Sequence, residues 1–140
     1  EQLNKTGVVK WFSDGMRDAI IASGMGWFPA AAVLLLVFVF SHYFFASTTA
    51  HISAMLLAFL TVGAQLLPAE YMIPFMLIMT AGSAIMMTLT HYATGTSPII
   101  FGSGYVTMGN WWRVGLIMCV VELLVFATVG SVWWKVLGYW

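Results

Sequence analysis

Four apolar runs, at residues 29–45, 52–67, 71–90 and 113–134, are separated by short polar interruptions instead of charged loops. Ahead of them, Val8, Val9, Trp11, Phe12 and Met16 interleave with Lys10, Asp14, Arg17 and Asp18 at roughly helical spacing. That pattern predicts an amphipathic helix lying in a membrane interface over residues 1–18, within a segment ending at 26. Gly24 and Gly26 break it, and Pro29 suits the first turn of the next helix. Runs 29–45 and 52–67 are each about 25 Å long as helix, but one helix through both would be about 57 Å. That is nearly twice the thickness of the hydrocarbon core. The chain must therefore turn near Ser47. A surface turn normally carries Gly, Pro, Asn or charge. Ser47-Thr48-Thr49, between Phe44-Phe45 and Ile52, has none of these. The pattern favours a re-entrant hairpin over residues 27–67, with its tip at 46–51 inside the membrane.

The run at 71–90 is the clearest spanning helix, with Pro74 tolerable in its first turn. Gly95 and Pro98 are expected to exclude regular helix through 95–98, giving a broken helix over 71–105 with its loop at 93–98. Arg113 opens the final run, and a last spanning helix is expected over 111–140. Trp111, Trp112, Trp133, Trp134 and Trp140 gather at its two ends as an interfacial belt.

Composition turns these runs into a class. The chain is 61% hydrophobic and 7% charged, with a mean hydropathy of +0.94, whereas soluble domains carry roughly 25% charged residues. It reads as an all-α integral membrane protein in contact with the lipid bilayer. Five basic residues balance five acidic ones, which leaves no basic patch for nucleic acid. The single cysteine, Cys119, lies in an apolar run and reads as a packing residue. The polar N-terminal stretch does not read as a signal peptide, and a start at Glu1 suggests a piece of something larger.

Candidate chemistry is confined to two polar islands. They are Ser47-Thr48-Thr49-Ala50-His51 and His91-Tyr92-Ala93-Thr94-Gly95-Thr96-Ser97-Pro98, and between Ala19 and Trp112 the only formal charge is Glu70. Unpaired polar groups in hydrocarbon cost several kcal/mol, so such islands line a cavity or bind something. Broken helices offer backbone N–H groups and positive dipole ends that attract carboxylates without a lysine, and paired interruptions point to a transporter's midplane site. No paired carboxylate, metal-binding motif or nucleophile elbow is present, so neither an enzyme nor a metal site is expected. Glu122, the one acid in the last run, is a further transport candidate. His42, His51 and His91 lie at or beside the islands. His42 and His91 are candidate proton or anion partners. They leave open a rival reading, a membrane-anchor subunit whose histidines ligate haem.

At these same residues the sequence resembles the divalent anion:sodium symporter family. Phe45-Ala46-Ser47-Thr48-Thr49-Ala50 is similar to its second Ser-Asn-Thr hairpin tip. The stretch from Ala93-Thr94-Gly95 to Phe101-Gly102-Ser103-Gly104-Tyr105 is similar to its second broken-helix loop, and Trp111-Trp112-Arg113-Val114-Gly115 to the approach to its last helix. The resemblance implies a secondary transporter built from two inverted repeats, each with an interfacial helix, a re-entrant hairpin and a broken helix. This chain corresponds to the second repeat, with the first missing. Ser47, Thr48 and Thr49 would contact a substrate carboxylate from the tip, and Thr94 and Gly95 from the opposite wall. The resemblance further implies a homodimer in a cell inner membrane.

Two departures bear on coupling. Thr48 stands where sodium-coupled members carry Asn, and Tyr43 where they carry a small hydroxyl residue. Both disfavour a sodium site and no other cofactor is expected. The pattern is closer to the bacterial and plastid branch that exchanges dicarboxylates such as 2-oxoglutarate, malate, tartrate, succinate or citrate. Exchange suits a dianion, because the carrier need not return with an empty polarised site.

Overall fold

The computed structural model describes residues 7–139; the N-terminal part of the expected interfacial segment (1–6) and Trp140 lie outside the described residues. Within them the chain is helical, with no strand. Helix α1 (Val8–Ala22) is followed by α2 (Trp27–Phe44), α3 (Thr48–Leu66), α4 (Ala69–Thr88), the short α5 (Ser97–Gly102) and α6 (Met108–Val136). Four of these, α2, α3, α4 and α6, are long and apolar enough to cross a membrane. The multi-pass membrane class follows from that together with the composition.

α1 packs on α3 through Val9, Phe12, Met16 and the buried Ile20, with Phe12 and Phe59 rings 6.0 Å apart. Val8 and Trp11 fall outside this stripe and stay exposed. Lys10 meets Asp14 at 2.6 Å, a hydrogen bond that holds the Asp14 carboxyl below its ordinary range. Arg17 reaches Gln65 at the end of α3 (3.3 Å). Gly24, at a φ of 65°, breaks the chain between α1 and α2, a conformation that favours glycine.

The core forms where α2, α3 and α4 meet. Leu34, Phe38, Phe59, Val62, Phe75 and Met79 are at most 2% exposed, with Phe38 edge-on to Phe59 at 5.3 Å. Gly63 faces the Phe75 ring so closely that no Cβ would fit there. α6 touches this bundle chiefly through Gly115 and Cys119, and most of its length is exposed. A Cβ at Gly115 would collide with the Thr88 carbonyl oxygen and lie 2.9 Å from that of Leu89. These carbonyls lie at and just past the end of α4, so the glycine lets the α6 backbone rest directly on them.

Two boundaries differ from the sequence expectation. Helix resumes at Ser97, inside the stretch expected to be irregular, with Pro98 in its first turn. There the absent N–H is one that would have no helical partner anyway. α6 begins at Met108, ahead of the tryptophan pair, because the Thr107 hydroxyl caps it by accepting from the Asn110 amide (3.4 Å).

Candidate functional site

The chain reverses over residues 45–47, and Ser47 then caps α3: its hydroxyl accepts from the Ala50 amide at 3.2 Å. The cap explains why helix starts at Thr48 and fixes the direction in which the first amides point. Thr49 is exposed in that first turn. Among the described residues nothing accepts from its amide or its hydroxyl, which leaves both as donors at the positive end of a long helix.

The second island folds against this tip. Thr48 donates twice to the Ala93 carbonyl, from its amide at 3.0 Å and its hydroxyl at 2.7 Å. The Tyr92 hydroxyl donates to the Tyr43 carbonyl at 3.1 Å. The two islands, 45 residues apart in sequence, are thus one structure. Beyond the junction, the Thr94 hydroxyl accepts from the Ser97 amide (3.2 Å) and lies 2.7 Å from the Ser97 hydroxyl and 3.1 Å from that of Thr96. Gly95 is exposed, and a Cβ there would meet open space.

Of the residues singled out in the sequence, Ser47, Thr48, Thr49, Thr94 and Gly95 are therefore brought into one neighbourhood. Thr48 stands apart, buried and with its hydroxyl proton donated inward. His42 is fully enclosed, with no hydrogen-bond partner at either ring nitrogen, 5.6 Å from His51. His51, also enclosed, pairs with Ser41 (2.8 Å) and the Met86 sulfur (2.9 Å). His91 is half-buried, and its Nδ1 accepts from the Trp112 indole at 3.1 Å. Glu122 has a hydroxyl partner, Thr88, at 3.2 Å.

Tyr92 and the Ala93 carbonyl were not among the expected site residues. A backbone acceptor leaves no trace in side-chain identity, and Tyr92 was masked by the histidine beside it. A cavity of about 540 Å³ lies at the opposite end of α2 and α4, beside Trp27 stacked on Tyr71 at 3.9 Å. Leu35, Phe75 and Leu123 also line it, and its wall is mostly apolar.

The model of the family described as the sodium:sulfate symporter transmembrane region matches residues 1–140. Dicarboxylate transporter 1, chloroplastic, of Spinacia oleracea is 38% identical over 138 residues, covering 99% of this chain and 24% of that protein. Its counterpart of the same name in Arabidopsis thaliana gives the same identity and coverage. The citrate/succinate antiporter of Escherichia coli (strain K12) is 37% identical over 140 residues, covering 99% of this chain and 27% of the antiporter. The chain thus spans about a quarter of the length of the curated relatives it matches. The haem-anchor reading finds no support among these relatives.

Proposed function

Because the chain belongs to the sodium:sulfate symporter transmembrane family, we propose that it is the second inverted repeat of a secondary transporter, not an enzyme, that exchanges di- and tricarboxylates across a cell inner membrane. The observation that carries this reading is the junction of the two islands through Thr48 and Ala93. Next to that junction along the chain stand Thr49, with its amide and hydroxyl uncommitted among the described residues, and Thr94 and Gly95, while Ser47 caps the first turn of α3. The names of the relatives, dicarboxylate transporters and a citrate/succinate antiporter, favour carboxylates as the anion.

In mechanism, the dianion is held by neutral donors. Hydroxyls and helix-terminal amides form charge-assisted hydrogen bonds to one carboxylate, and the absent first repeat supplies the other half of the pocket. A site polarised toward negative charge is costly to move empty, so the outward anion is replaced by an inward one. Sodium is not required in this scheme. A tip without charge, joined to the second island, supports a re-entrant hairpin in this scheme. Two such transporters associate as a homodimer.

Binding to the full-length transporter in detergent tests the anion class. Labelled malate should be displaced by succinate, citrate or 2-oxoglutarate and resist an equal concentration of sulfate. Displacement by sulfate alone would move the protein out of the carboxylate branch. Orientation is tested separately. Arg113, in the second turn of α6, favours a cytoplasmic start for that helix, so alkaline phosphatase fused after residue 140 should be active. A stable but inactive fusion would invert the topology.

A further inference from the structure

The Ala93 carbonyl is enclosed, its residue 1% exposed, and Thr48 is 7% exposed. A carbonyl oxygen has two lone pairs, and here two donors from a single residue converge on it, the Thr48 amide at 3.0 Å and hydroxyl at 2.7 Å. Left bare beside an anion site, that oxygen would repel a carboxylate or recruit a cation. Capped twice, it does neither. Tyr92 and Tyr43 make a parallel tie on the same junction.

We propose that Thr48 is a positioning residue: its hydroxyl clasps the hairpin tip to the second-island loop through the Ala93 carbonyl, so the two donor walls form one body. The clasp is neutral and saturates the oxygen, so this junction holds no cation. Thr48 acts on substrate through Ala93 and leaves contact to Thr49 and Thr94. That effect on substrate rests on the carboxylate-transporter reading above, whereas the clasp itself does not.

The test uses the full-length transporter with Thr48→Val, which removes the hydroxyl, and Thr48→Ser, which keeps it. Loss of one of the two donors to the buried Ala93 carbonyl translates into about tenfold weaker dicarboxylate binding for Thr48→Val, with Thr48→Ser near wild type. Amide hydrogen exchange should rise in Thr48→Val at residues 47–51 and 92–97 together. If Thr48→Val does not fold, Tyr92→Phe cuts the parallel tie and should loosen the same two segments. Exchange rising at 47–51 alone, or Thr48→Ser as impaired as Thr48→Val, would overturn the clasp. A wild type that binds no dicarboxylate, while both segments still loosen together, would overturn the transport reading and leave the clasp standing.

Discussion

Thr49→Val is expected to weaken dicarboxylate binding by about ten- to hundredfold. A hydrogen bond to a charged group is worth roughly 1.5–3 kcal/mol, and Thr49 is exposed at the capped start of α3 with its hydroxyl uncommitted among the described residues. Valine keeps the β-branched shape, so the first helical turn should survive. Thr128→Val is the control. Its hydroxyl donates to the Leu124 carbonyl at 2.8 Å within α6, away from both islands. Equal affinities for wild type and Thr49→Val, in direct binding to the full-length transporter, would reduce the tip to a packing turn.

The second large effect is expected at Gly115. An added methyl there meets backbone carbonyls of Thr88 and Leu89, which cannot swing aside as a side chain can. Overpacking of this kind costs typically 1–3 kcal/mol. Gly115→Ala should thus lower the detergent melting temperature by several degrees. It should also weaken substrate binding, because the last turn of α4 leads straight into the second island. Gly109→Ala, also within α6 but with nothing within 4 Å of the new methyl, should melt at or slightly above wild type. Matching melting curves for the two variants would show that α6 does not press on α4 as described.

Much of this architecture was legible in the sequence, for identifiable reasons. Long apolar runs nearly free of charge set the membrane class, and the short Ser47-Thr48-Thr49 interruption between two arms too long to be one helix required a reversal. The stripe of α1 was half legible. Val9, Phe12 and Met16 pack inward, but Val8 and Trp11 share the hydrophobicity without sharing the face. Pro98 is ambiguous in the sequence. Proline breaks a helix interior and suits a first turn, and which applies depends on where the helix restarts. Within the candidate site, side-chain chemistry singled out residues that the structure brings next to one another. It could not distinguish Thr48 from Thr49, neighbours of identical chemistry, because one turns its proton on a buried carbonyl and the other does not. That distinction depends on Ala93, whose contribution is pure backbone.

The central claim, an anion site built from neutral donors and working by exchange, meets its most direct test in counterflow. The full-length transporter is reconstituted into vesicles preloaded with unlabelled succinate, and entry of labelled dicarboxylate is followed in sodium buffer and in potassium buffer. The account predicts rapid entry at the same rate in both, and none into vesicles without internal dicarboxylate. Entry that requires sodium and proceeds equally well into empty vesicles would contradict it.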